Sequence, residues 1–185
     1  MGKAILYTRH DGGVSVCHPT EDMIAVMGRG GYWADRPRGF MEEQIRRQIA
    51  DGIHPDHARR YAHAVTFGGC TTAEAFDIIK DRDCTQHGYH FDVIDPYTDL
   101  PPDRWFRDAW ARSANGGPVV IDLAKARVIQ WARLNTAIER ENKRRREALY
   151  VEPELIADPD KLRTYIKHAR DEEELRRVWP EELKL

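Results

Sequence analysis

An α+β fold is what this 185-residue sequence predicts, on three patterns. The short apolar runs AILYTRH and VSVCHP flank Asp11-Gly12-Gly13, and a second pair of runs flanks Asn115-Gly116-Gly117. Each glycine-bearing centre supplies the positive backbone angles that a tight hairpin turn needs. Between these hairpins lie segments whose apolar residues recur every three to four positions, the period of a helix with one buried face. Residues 123–149 contain neither glycine nor proline, so one long helix can run through them. The expected architecture is a small, mostly antiparallel sheet, from hairpins near 3–18 and 111–122 and a strand at 89–95, covered by helices. Residues 1–122 would form the α+β body, with a helical insertion at about 20–70. Residues 123–185 would form a long projecting helix and a C-terminal helical appendage.

Each element has its local warrant. TEDMIAVM reads as a helix capped by Thr20 and stopped by Gly28, and GRGGYWADRPRG after it reads as a loop. In FMEEQIRRQIADG, Met41, Ile45 and Ile49 share a face and Gly52 suits the C-terminal cap; Ala58, Tyr61, Ala62 and Val65 form the corresponding face of the next helix. Thr71 and Glu74 have capping-box spacing ahead of Ala75, Ile78 and Ile79. YHFDVID alternates like a strand. In LPPDRWFRDAW the paired prolines and Asp103 start a short helix, with Phe106, Ala109 and Trp110 on one face and Trp105 at its edge. These aromatics are expected in the core, while Arg104 and Arg107 pair with Asp103, Asp108 or a partner. Asp122 is placed to cap the long helix.

That helix changes character along its length. Leu123, Ala126, Ile129, Trp131, Leu134 and Ile138 give its first half an apolar surface, whereas ERENKRRRE at 139–147 has none and must project into water or meet a partner. Two short amphipathic helices follow, with Leu162, Tyr165, Ile166, Leu175, Val178 and Trp179 as their apolar residues.

Composition removes several function classes. With 41% hydrophobic residues the chain can bury a core, and a mean hydropathy of -0.68 implies a well-solvated surface. The formal charge of -2 supplies no general positive field for polyphosphates, which argues against nucleic acid as a partner. No apolar run reaches bilayer length, so no membrane partner is expected, and MGKAILYTRHDGG lacks the apolar stretch of a signal peptide. Cys17, Cys70 and Cys84 cannot all pair within one chain and are expected as free thiols.

Three constellations bear on chemistry. His54, His57, Cys70, Cys84, His87 and His90 are residue types that hold zinc, but their spacing forms neither paired CxxC knuckles nor an HExxH helix. A metal-dependent enzyme is therefore an alternative, and no cofactor is expected. His10-Asp11 and the Gly28–Gly31 stretch fit neither a base with its orienter nor a phosphate-binding loop, because Asp11 belongs to a turn and no GxxxxGK[ST] pattern is present. No catalytic residue is assigned. The run Lys143-Arg144-Arg145-Arg146 could touch phosphates, the basis of an alternative reading as a nucleic-acid-binding regulator. Glu139, Glu141 and Glu147 make it the ordinary composition of a solvated helix instead.

The order of DGGVSV, DRDC, a strand ending Val-Ile-Asp, DRWFRDAW at 103–110, a glycine-bearing hairpin, IDLAKAR at 121–127 and a charged helix resembles a family of small uncharacterised proteins of tailed bacteriophages and prophages. DEEELRRVWPEEL is similar to the end of phage tail-assembly chaperone or tail-fibre assembly proteins. The resemblance implies a non-enzymatic virion structural or assembly accessory protein, found in the virion or in the host bacterial cytoplasm during assembly. Its partners would be other phage structural proteins or a copy of itself. The contact expected from the amphipathic tail is Leu162, Tyr165, Ile166 and Trp179 at its centre, with Arg140, Arg144 and Arg145 as a polar rim.

Overall fold

A computed structural model describes residues 2–102, 104–113, 115–149 and 158–183. The class is α+β: seven α-helices and two small antiparallel sheets among the described residues. The chain divides into two compact units, residues 1–102 with 112–119, and residues 103–111 with 120–185. The division therefore does not fall at 122 as expected. Residues 104–111 go with the long helix, because Phe106 and Ala109 share a core with it.

In the first unit, β1 (Ala4–Arg9) pairs with β2 (Val14–Cys17) through a turn in which Asp11 accepts the Gly13 N–H at 2.8 Å. β3 (Gly88–Ile94) lies antiparallel on the other side of β1, giving the order β2-β1-β3. The expected alternation of β3 fails: its two ends are buried and its middle is largely exposed. The β1–β3 register is irregular between Leu6 and Thr8, and His90 takes a positive φ of 52°. A bulge of this kind leaves a residue unpaired and re-aims the side chains beyond it.

Four helices complete this unit, α1 (Glu21–Arg29), α2 (Phe40–Ala50), α3 (Pro55–Phe67) and α4 (Thr72–Asp83). α1, α3 and α4 share the core with Ile5 of the sheet, while α2, with no buried residue, packs on α3. Thr20 caps α1, and Thr71 and Glu74 form the full reciprocal capping box of α4. Ile5, Val26, Met27, Tyr61, Val65, Phe76, Ile78 and Ile79 make up most of the core, so the helical faces expected for α3 and α4 are the buried ones. α1 runs past Gly28 to Arg29 and ends at Gly30, whose φ is 74°. Gly28 lies within the helix, and its carbonyl accepts the Gly69 N–H at 2.9 Å.

The second hairpin, β4 (Trp110–Ser113) and β5 (Gly116–Ile121), forms its own two-stranded sheet rather than extending the first. A side chain replaces the missing ladder. Buried Arg112 donates from Nη1 to the His90 carbonyl at 2.9 Å, from Nε to the Gly117 carbonyl at 2.9 Å, and from Nη2 to the Asp92 carboxylate.

In the second unit the short helix expected from 103 contracts to one 3-10 turn, Arg107–Ala109. Trp110 is already extended, and the Ala109 carbonyl accepts the Asp122 N–H at 2.8 Å, so the hairpin claims the chain before a helix can lengthen. Asp103 lies outside the described residues. Arg104 and Arg107 are exposed and make no ion pair with Asp108. The long helix α5 (Leu123–Leu149) has the expected bounds, with Asp122 accepting the Ala124 and Lys125 N–H groups at 3.0 and 3.2 Å. α6 (Pro159–His168) and α7 (Glu172–Arg177) pack on it around Phe106, Ala109, Ala126, Leu134, Ile166, Ala169 and Leu175. No helix among the described residues is long and apolar enough to cross a membrane.

Candidate partner-binding site

The site grows from the i, i+4 geometry of α5. Positions 126, 130, 134, 138 and 142 fall on one stripe, and Ala126, Gln130, Leu134, Ile138 and Asn142 are all buried. The buried stripe thus reaches beyond Ile138, and the outer half of α5 does not project bare on every side. Its other faces carry Arg140, Lys143, Arg144 and Glu147, all exposed.

Gln130 is the residue that hydropathy misses. Fully buried, it accepts the Trp105 Nε1–H at 2.9 Å and donates from Nε2 to the Val178 carbonyl at 3.0 Å. Two arginines of the same helix act alike: Arg127 donates to the Ala169 carbonyl at 2.8 Å and Arg133 to the Trp105 carbonyl at 2.5 Å. The Arg133 guanidinium also lies 4.8 Å from the Trp105 ring centroid, a cation–π contact. The available signal was a polar residue four positions from apolar ones on both sides, Ala126 and Leu134.

These contacts correct the expected binding surface. Leu162 and Ile166 are buried within the protein, and half-buried Trp179 stands edge-on to Trp105 with ring centroids 5.8 Å apart. The apolar area of Leu162 and Ile166 is already covered and cannot form the desolvated centre of a partner contact. Tyr165 alone of that group is open, at 51% exposure, with Lys161 Nζ 5.9 Å from its ring centroid. Phe106 and Trp110 are core as expected, and Trp105 is half-buried.

What remains open is a groove of about 950 Å³ whose walls include Trp105, Trp179, Arg133, Arg140, Lys143 and Arg144. Glu141 accepts two bonds from Arg144, at 2.6 and 2.5 Å, and one from half-buried Arg145 at 3.1 Å. The Arg144 hydrogen bonds are the main reason its carboxyl is held down to about 2. Arg140 forms no ion pair among the described residues. The groove therefore pairs an aromatic edge with one cation, Arg140, that has no ion pair among the described residues and several that do.

The histidine and cysteine set is not brought together. His54 and His57 are neighbours, with ring centroids 5.1 Å apart, but His54 Nδ1 accepts the Asp56 N–H at 3.3 Å as the cap of α3. Cys70 is half-buried in the loop before α4, and His87 and His90 are exposed. Buried Cys84 faces Cys17 instead: hydrogen bonding between these thiols and burial push Cys84 up, while the same hydrogen bond holds Cys17 down. Among the described residues no three His, Cys, Asp or Glu side chains converge on a point that could hold a metal. Elemental analysis should accordingly find well under one zinc per chain, and a chelator should leave the melting curve in place. Loss of structure on chelation would contradict this geometry.

The glycines at 28–31 form no anion cradle either, since the Gly30 and Gly31 N–H groups donate to the Val26 and Thr66 carbonyls. Compared with known proteins, the chain matches no family model, no curated protein and no solved structure.

Proposed function

We propose that this protein is a non-enzymatic accessory of bacteriophage particles or of their assembly, acting through protein–protein contacts in the virion or in the host cytoplasm. The phage setting rests on the sequence resemblance. The observation that supports a binding role is the groove along the outer half of α5, where Arg140, Lys143 and Arg144 stand exposed beside Trp105 and Trp179. An aromatic edge flanked by arginines is the composition that protein interfaces favour. The partner is another phage structural protein or a second copy of this chain, contacted by Arg140 and Arg144, with Tyr165 as an exposed apolar contact on the same unit.

Charge reversal tests this better than truncation, because removing α6 and α7 would strip the Phe106 core of Ile166, Ala169 and Leu175. Mass spectrometry of purified particles and assembly intermediates should find the chain in one or both. The double variant Arg140→Glu, Arg144→Glu should keep its thermal midpoint while its incorporation or co-sedimentation falls by about tenfold, the loss expected for charged contacts at an interface rim. Absence of the chain from both fractions overturns the reading, and so does unaltered incorporation of the double variant.

A further inference from the structure

The arginines best placed to hold phosphates are not those at 143–146. Lys143 faces Glu147 at 3.9 Å, and Arg144 and Arg145 share Glu141. The loop between α1 and α2 differs. Residues 29–40 read RGGYWADRPRGF, three arginines against the single acid Asp35. Arg29, Arg36 and Arg38 are exposed, and none forms an ion pair among the described residues. A local cationic surface thus exists in a chain whose formal charge is -2.

Aromatic rings stand on the same surface. Tyr32 is 56% exposed, and Phe67, at the end of α3, is 61% exposed. The Gly31 and Tyr32 N–H groups donate to the Thr66 and Val65 carbonyls at 2.9 and 3.0 Å, which fastens the loop bearing Tyr32 to the helix end bearing Phe67. Half-buried Trp33 anchors the loop from below, edge-on to Phe40 at 5.6 Å and to Tyr61 at 6.5 Å between ring centroids. The arginines and exposed rings are therefore carried by a segment with a fixed shape.

We propose that the α1–α2 loop and the end of α3 form a binding surface for single-stranded nucleic acid, with Arg29, Arg36 and Arg38 on phosphates and Tyr32 and Phe67 stacking on bases. Rings that stand out from the surface offer their faces to any planar base, and guanidinium groups with no carboxylate partner among the described residues can replace the counterions of a phosphate chain. The Arg36 guanidinium, 5.6 Å from the Phe40 ring centroid, keeps its donors for that role. A duplex hides its base faces and would leave both rings unused. Tyr32 and Phe67 have ring neighbours on one side, Trp33 at 6.4 Å and His63 at 4.8 Å between centroids, but are more than half exposed. The Trp105 and Trp179 rings are half-buried and Arg133 lies over Trp105, which makes them poorer platforms. This surface belongs to the first unit and the α5 groove to the second.

The test is fluorescence anisotropy of the full chain with a labelled oligothymidylate of about 20 nucleotides, long enough to span a site of this kind. Binding should weaken with salt at a log–log slope near about -2, from three phosphates at about -0.7 each. The triple variant Arg29→Ala, Arg36→Ala, Arg38→Ala should lose at least about tenfold in affinity and flatten the slope. Tyr32→Ala and Phe67→Ala should each weaken binding by about tenfold with the slope unchanged. Lys143→Ala with Arg146→Ala should alter neither, and thermal midpoints should show every variant folded. The proposal is overturned if the intact chain fails to bind at low salt, if a duplex binds as tightly as the single strand, or if only the 143 and 146 substitutions matter. Displacement by polyglutamate as effective as by unlabelled oligonucleotide would also overturn it, by making this a site for acidic peptide.

Discussion

Gly68→Ala should lower the stability of the first unit by about 3–5 kcal/mol, and Gly30→Ala by about as much. The two glycines cross at close range. Gly68 has φ 73° and ψ -152°, and Gly30 has φ 74° and ψ -163°, a region of backbone space that side-chain-bearing residues scarcely enter. A Cβ on Gly68 would lie 2.5 Å from the backbone of Arg29 and Gly30, and one on Gly30 would lie 2.6 Å from the carbonyl carbon of Phe67. These neighbours are main-chain atoms and cannot swing aside, so about 1–3 kcal/mol of backbone strain adds to a similar overpacking term. Gly69 is the internal control: its φ is 86°, but a Cβ there would meet nothing within 4 Å. Gly69→Ala should cost only about 1–2 kcal/mol. Equal urea midpoints for the 68 and 69 variants would mean that the crossing is looser than described.

Phe106→Ala should cost about 3–5 kcal/mol in the second unit, and Trp110→Ala a comparable amount, the usual loss for a large buried aromatic. Phe106 is wholly inaccessible and packs in one cluster with Leu134 of α5, Ile166 of α6 and Leu175 of α7. Its removal opens a cavity where three helices meet. Gln130→Ala removes fewer atoms yet breaks the buried hydrogen bonds to the Trp105 Nε1–H and the Val178 carbonyl, for about 1–3 kcal/mol. Chemical denaturation of the three variants should rank Gln130→Ala as the mildest. A Phe106→Ala midpoint equal to that of the unmodified chain would remove the core assignment of the DRWFRDAW segment.

The helices were legible because their signals are local. Thr20, Thr71 and Asp122 cap the elements that begin beside them, and the 3.6-residue period of Ala58, Tyr61, Ala62 and Val65 is carried by the chain itself. The Asp11-Gly12-Gly13 turn was legible for the same reason, whereas Gly116 and Gly117, expected in the second turn, lie in β5. What sequence could not supply was pairing at a distance. Nothing near Arg112 says that its guanidinium will bridge to His90 and Asp92, and so link two sheets where one was expected. Leu162, Ile166 and Trp179 read correctly as an amphipathic set, but periodicity does not say whether such a face meets its own chain or another. The Tyr32–Phe67 surface was hidden similarly, because its rings come from segments more than thirty residues apart in sequence that the Gly31 and Tyr32 hydrogen bonds bring together.

The way α5 holds the rest of its unit has an evolutionary consequence. Arg127, Gln130 and Arg133 all donate to carbonyl oxygens, of Ala169, Val178 and Trp105, and carbonyl oxygens are present whatever the residue. Mutational tolerance is therefore lopsided. A change at any of the three donors abolishes its bond outright, whereas a change at Val178, which is only half-buried, leaves the acceptor in place. Descendants of this gene can diversify the tail's outer residues, Tyr165 among them, while the same grip persists. Attachment and recognition can then drift at different rates within one short segment.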